Sequence, residues 1–150
     1  MDDVIRKVTG GCHCGAVRYE AKGDPLYVPY CHCASCRKTT GAPVVMFVNF
    51  DAKAIKFIVG ERKTYLSSPN VKRTFCADCG TPLSYEGDWG GNAIIEVYVG
   101  TLDDPEAFAP DRHVFYGERI KWFDVDDQLP RYNGSSAGAQ PDGYGPPGKR

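Results

Sequence analysis

No stretch of this 150-residue chain approaches the roughly 20 consecutive apolar residues that a helix needs to cross a bilayer. The longest apolar run is residues 44–48, VVMFV. Charge of one sign is not in excess either: 18 Lys and Arg stand against 19 Asp and Glu, a formal net charge of −1. Binding to nucleic acid or to an anionic membrane draws on a basic field, so neither partner is expected. The N-terminal MDDVIRK lacks the basic start and long apolar segment of a secretion signal, which predicts a cytosolic protein. Structural disulfides are disfavoured in that reducing compartment. The length is that of one domain, and the 42% of hydrophobic residues suffices for a core.

Seven cysteines are present, an odd number that cannot pair completely. They fall into three clusters: Cys12-x-Cys14, Cys31-x-Cys33-x-x-Cys36 and Cys76-x-x-Cys79. Inert core thiols would be scattered, whereas metal ligands cluster at such spacings.

Short β-branched or alternating segments run through the chain. Glycines 10, 11 and 15 bracket the first cluster on a turn between two strands. Residues 16–21 alternate as a half-buried strand does, residues 26–30 lead into the second cluster, and 44–50 reads as a buried central strand. Residues 34–40 can make one helical turn before Gly41-Ala42-Pro43 breaks it. Residues 55–59, 63–66 and 71–75 read as further strands joined by turn residues. Gly80 suits the positive φ of a tight Cys76–Cys79 knuckle. Residues 83–85 and 93–99 continue the sheet across a loop holding Gly87, Gly90 and Gly91. Residues 103–108 are at most a short helix, and 113–116 form a last strand. Many short strands with little helix predict an all-β domain over residues 1–133. Residues 134–150 (GSSAGAQPDGYGPPGKR) have almost no apolar side chain to offset ordering entropy and read as a disordered tail.

Zinc takes thiolates in a tetrahedron, and two cysteines at these spacings reach one ion from a tight turn. Two partitions fit. Cys12, Cys14, Cys76 and Cys79 can close one site, leaving Cys31, Cys33 and Cys36 around a second ion with one position open. Alternatively Cys33, Cys36, Cys76 and Cys79 make a ribbon-like site and leave Cys12, Cys14 and Cys31. The first keeps every local cluster whole. His13 and His32 alternate with cysteines, so in extended backbone they face away from an ion that the cysteines share. His113 reads as a core or rim residue.

The neighbours of the three clusters carry a resemblance. Gly11-Cys12-His13-Cys14-Gly15-Ala16-Val17, Cys31-His32-Cys33-Ala34-Ser35-Cys36-Arg37-Lys38 and Phe75-Cys76-Ala77-Asp78-Cys79-Gly80-Thr81 stand in this order. The chain over about residues 8 to 133 resembles the glutathione-dependent formaldehyde-activating enzyme family, with an ending like that of its shorter members. The resemblance implies a β-tent, two splayed antiparallel sheets around zinc. It also implies two ions: a structural zinc on Cys12, Cys14, Cys76 and Cys79, and a catalytic zinc on Cys31, Cys33 and Cys36. The implied reaction joins glutathione and formaldehyde into S-hydroxymethylglutathione, a carbon–sulfur lyase step when reversed.

An open three-thiolate site is a poor Lewis acid and favours a soft thiol as fourth ligand. Arg37 and Lys38 follow at once and can hold a substrate carboxylate or balance the thiolate charge; a solvated basic pair is the alternative. Phe115, Tyr116, Trp122 and Phe123 are expected to pack against the sheet. The leading expectation is a lyase acting on a thiol–aldehyde adduct. The competing one is a non-enzymatic, zinc-scaffolded module that binds protein.

Overall fold

A computed structural model describes residues 5–147. Among them the strands run β1 (Lys7–Gly11), β2 (Arg18–Lys22), β3 (Pro29–Cys31), β4 (Val45–Asp51), β5 (Ile55–Val59), β6 (Arg62–Ser68), β7 (Val71–Cys76), β8 (Pro82–Trp89), β9 (Asn92–Tyr98), β10 (Arg112–Val114), β11 (Pro130–Arg131) and β12 (Gly143–Tyr144). One helix, α1 (Ala34–Thr40), separates β3 from β4. The protein is mostly β, as expected, and its strands form sheets of three and nine strands.

The chain forms two compact units. The first holds the chain up to Leu26 together with Val48–Phe108, and the second holds Tyr27–Phe47 and the chain from Ala109 onward. In the first unit β1, β2 and β5 pair antiparallel. Alternation along β2 buries Tyr19 and Ala21. Beside this lies the antiparallel ladder β9-β8-β7-β6, whose inward residues include Leu83, Ile94 and Val97. Fully burying such a side chain contributes roughly 1.5–3 kcal/mol.

In the second unit β10 runs parallel to both β3 and β11, so this part of the sheet departs from the antiparallel expectation. The cause is local. β10 ends at Val114 because Phe115 takes a left-handed φ of 51°, and the chain then loops through residues 116–129 before β11 returns beside β10.

Two further boundaries differ from expectation. Gly87 lies inside β8, paired with Ile94, not in a loop. A Cβ there would come within 3.1 Å of the Tyr85 ring, so this glycine marks a close approach. The hairpin reverses at Gly90 and Gly91, both at positive φ. The segment read as a disordered tail is ordered as far as it is described. β12 pairs with β11, Asp142 N–H donates to the Arg131 carbonyl at 2.8 Å, and Gly145 N–H donates to the Leu129 carbonyl at 3.2 Å. Backbone pairing, not apolar burial, holds this stretch, and composition does not report it. Residues 148–150 of that tail lie outside the described residues.

Arg18 on β2 holds Asp103 by two parallel contacts, Nη1 to Oδ1 at 2.9 Å and Nη2 to Oδ2, and Thr9 Oγ1 donates to the same carboxylate at 2.7 Å. Arg18 and Thr9 lower Asp103 to about 2. The contribution is therefore present above about pH 4 and lost as pH falls through the lowered value. Both side chains are over a third exposed, so solvent screening limits it. Arg18→Gln should cost no more than about 1 kcal/mol at pH 7 by denaturant unfolding, less at high salt and little by pH 2, where the folded carboxylate is about half protonated.

Candidate metal centres

The turn between β1 and β2 carries Cys12 and Cys14, and the turn between β7 and β8 carries Cys76 and Cys79. Cys12 N–H donates to the Val17 carbonyl at 3.0 Å, and Gly80 N–H donates to the Cys76 carbonyl at 3.0 Å. Gly80 takes φ 77°, as the knuckle demands. The two turns bring all four sulfurs within 4.8 Å of one another. Cys12 Sγ lies 3.6 Å from Cys14 Sγ, and Cys14 Sγ lies 3.8 Å from Cys76 Sγ. A tetrahedron of metal–sulfur bonds of about 2.3 Å has edges of about 3.8 Å, whereas a disulfide needs about 2.05 Å. No disulfide joins any of the seven cysteines. The donor set therefore fits a soft divalent ion.

Backbone N–H groups already point at these sulfurs: Val17 to Cys12 at 3.2 Å, and both Asp78 and Cys79 to Cys76 at 3.4 Å. The Thr81 side chain and backbone bring Cys79 down to about 5. Such bonds favour the thiolate that a metal requires. Beneath the sulfurs Cys12, Cys76, Val17 and Leu83 form one buried cluster with Ala16 and Phe57 against it.

Cys31, Cys33 and Cys36 form a second group whose sulfurs also lie within 4.8 Å of one another, with Cys31 Sγ 3.6 Å from Cys36 Sγ. Cys31 closes β3, Cys33 caps α1, and Cys36 N–H donates to Cys33 Sγ at 3.3 Å. Cys31 is pushed up, first by its hydrogen bonds to Cys33 and Cys36 and then by burial. This group numbers three. The structure thus brings the cysteines together in the first of the two partitions and not as a ribbon.

His13 is exposed, and its N–H donates to Thr81 Oγ1 at 3.1 Å. His32 and His113 are both fully buried. They join a polar chain that sequence reasoning missed, because its members are 81 and 14 residues apart. Asp127 Oδ2 can only accept, so His113 Nε2–H donates to it, at 3.0 Å. His113 Nδ1 then accepts from His32 Nε2–H, at 2.8 Å. Burial, and secondarily His113, lowers His32 to about 4, which agrees with a neutral ring at pH 7. The buried Arg131 donates to Asp127 at 2.7 Å and to Asp124 at 3.2 Å, and Tyr116 O–H donates to Asp124. His32, which lies between Cys31 and Cys33 in the chain, is thereby anchored.

Arg37 and Lys38 lie on α1. Arg37 Nη2 donates to the Glu118 carbonyl at 3.1 Å, and Lys38 is exposed. Thr39 and Thr40 donate to the helix's own carbonyls at 2.9 and 2.8 Å, a capped turn. Tyr116 is buried as expected, but Trp122 is 78% exposed and does not pack on a sheet. Its loop follows the left-handed Phe115 and carries no strand for it to pack along.

Two groups of thiols on two sheets define a class of cysteine-rich β proteins, and comparison with known proteins places the chain within it. The sequence profile of the family described as "Glutathione-dependent formaldehyde-activating enzyme" matches residues 7–118. The chain belongs to this family. A protein of Halomonas elongata, provisionally named as an enzyme of this kind, is 27% identical over 132 residues, 79% of this chain and 81% of its own. An uncharacterized lyase of Schizosaccharomyces pombe is 30% identical over 83 residues, 55% of this chain and 60% of its own. The crystal structure of a Rhodobacter sphaeroides protein covers 66% of this chain and 93% of its own, with TM-score 0.54 and 24% identity, a likeness of fold alone. No helix among the described residues is long and apolar enough to cross a membrane.

One ion held by these four sulfurs would tie the two turns together, and thiolate metal sites contribute on the order of 10 kcal/mol in small peptides, so Cys12→Ser or Cys79→Ser should lower Tm by roughly 10 °C or more. A variant with unchanged Tm and metal content would contradict this role. His113→Leu leaves the buried His32 N–H unpaired and should weaken metal at Cys31, Cys33 and Cys36 by about 10–100-fold in chelator competition. The four-cysteine group should be unaffected; equal loss at both groups would show general unfolding instead.

Proposed function

We propose that the chain is a zinc-dependent carbon–sulfur lyase acting on thiol–aldehyde adducts such as S-hydroxymethylglutathione. The observation that carries this reading is the unequal pair of thiol groups, four sulfurs in one and three in the other. Cys12, Cys14, Cys76 and Cys79 hold a structural zinc, and Cys31, Cys33 and Cys36 hold a second zinc that leaves a position for substrate sulfur. The zinc-binding β-tent includes β12, which pairs with β11 beyond residue 133, and the compartment is the cytosol. The family description and the Halomonas elongata relative's name, which speak of glutathione and formaldehyde, support a thiol and an aldehyde as the substrate classes.

Zinc, when bound there, supplies a soft cation that favours a thiol as thiolate at neutral pH. The chain's own part is placement. The Cys33 cap and the His32–His113–Asp127 chain hold the segment that carries Cys31 and Cys33, whose sulfurs gather with that of Cys36. Arg37 and Lys38 hold a carboxylate of the thiol substrate, and the extended stretch at 31–33 keeps the sulfurs preorganised. In the synthetic direction the thiol sulfur forms a bond to the aldehyde carbon, the carbonyl π pair moves to oxygen, and the thiol proton ends on that oxygen. The lyase direction reverses each step.

Cys33→Ser should keep the fold and the wild-type Tm within a few degrees. It should bind about one zinc where the wild type binds about two. Cobalt-substituted wild type should change its absorption when glutathione is added, and the variant should not. A wild-type cobalt spectrum that ignores every small thiol overturns the enzyme and leaves a zinc-scaffolded binding module.

A further inference from the structure

One cavity in the second unit combines apolar walls with positive charge. It measures about 380 Å³ and is lined chiefly by Arg37, Lys38, Ala42, Pro43, Ile120 and Trp122, a size within the roughly 300–1,000 Å³ of small-molecule sites. Trp122 is the most exposed large apolar side chain among the described residues. Arg37 spends one nitrogen on a backbone carbonyl, its Nε is buried without a partner, and no carboxylate among the described residues pairs with it or with Lys38. The nearest acidic neighbour in sequence contact, Glu118, has its carboxylate on the Ala34 N–H at 3.3 Å. Ala34 and Arg37 directly follow Cys33 and Cys36, so the helix that carries or is capped by two of the three thiols also lines the cavity.

We propose that this cavity binds the non-reacting part of the thiol substrate, and that this part is an aromatic or similarly apolar body bearing a carboxylate. The proposal rests on the reading of the three-thiol group as the reacting centre. The carboxylate meets Arg37, whose planar fork suits it, with Lys38 beside it. The ring lies on Trp122, an aromatic face with Ile120 and Pro43 around it. Glutathione fits this wall less well. Its second carboxylate, ammonium and two amides lose water against a lining whose polar side-chain atoms belong to Arg37, Lys38 and the Trp122 N–H.

Phenylacetate carries the carboxylate and the ring but no thiol, so it separates the cavity from the chemistry. Titrated into the zinc-loaded full chain, it should bind saturably by calorimetry and by tryptophan fluorescence, about tenfold or more tighter than acetate or S-methylglutathione. Calorimetry should show the binding weakened at least about tenfold in Trp122→Ala and in Arg37→Gln, while Arg37→Gln leaves benzyl alcohol unaffected. Absence of saturable binding, equal binding of acetate, or a Trp122→Ala protein that binds like wild type overturns the proposal, whatever cobalt spectra show for thiols. If phenylacetate binds but no thiol perturbs the cobalt spectrum, the proposed function fails, and with it the assignment of the cavity to a thiol substrate.

Discussion

Sulfur atoms held 3.6–3.8 Å apart are too far for a disulfide and too close for free anions, and the first unit is arranged around that constraint. Cys14 and Cys76 are 62 residues apart in the chain. A divalent ion between them closes a long loop, whereas one between Cys31 and Cys36 closes a loop of five. The difference in closure entropy alone is about 2 kcal/mol in favour of the first as a stabilising cross-link. The buried cluster of Val17 and Leu83 forms directly beneath the sulfurs, and the N–H groups of Val17, Asp78 and Cys79 are already aimed at them. An ion bound by these four sulfurs would therefore couple directly to core packing in this unit.

The second group is freed from that duty. It lies at a strand end and a helix cap, and its third sulfur follows one turn of helix later. Local geometry, not a distant partner, gathers the three thiols. A group gathered this way can exchange a ligand without unlinking distant parts of the chain, which is the property a reacting centre needs and a scaffold does not.

Much of this was legible in the sequence, where chemistry and spacing coincide. Two partitions of the seven cysteines fitted the spacings; keeping local clusters whole favoured the one observed, and the family resemblance implied it. Residues 34–40 with Gly41 and Pro43 after them gave α1 its bounds, and Gly80 announced a positive φ. What stayed hidden depends on partners far along the chain. Gly87 reads as a loop residue until Tyr85 is seen against it. The pairing of β12 with β11 rests on backbone groups that every residue has. The parallel pairing of β10 with β3 joins segments far apart in the chain and has no composition of its own.

The polar chain behind the second group is the least economical part of the protein. Arg131, His32 and His113 are almost wholly buried, and apolar side chains of similar volume would cost less to bury than a guanidinium with two carboxylates. Stability therefore does not account for it. Its effect is directional. Asp127 accepts only, so the protons on both rings are assigned: His113 must donate from Nε2 and His32 must donate from its own. A ring held by one fixed donor cannot turn, and the backbone on either side of it carries Cys31 and Cys33. An apolar core would hold that segment in place to within the slack of its packing; a hydrogen-bonded chain ending on a charge fixes its rotation as well. The proposed reading of three sulfurs around one ion with a position to spare would call for the second kind of control.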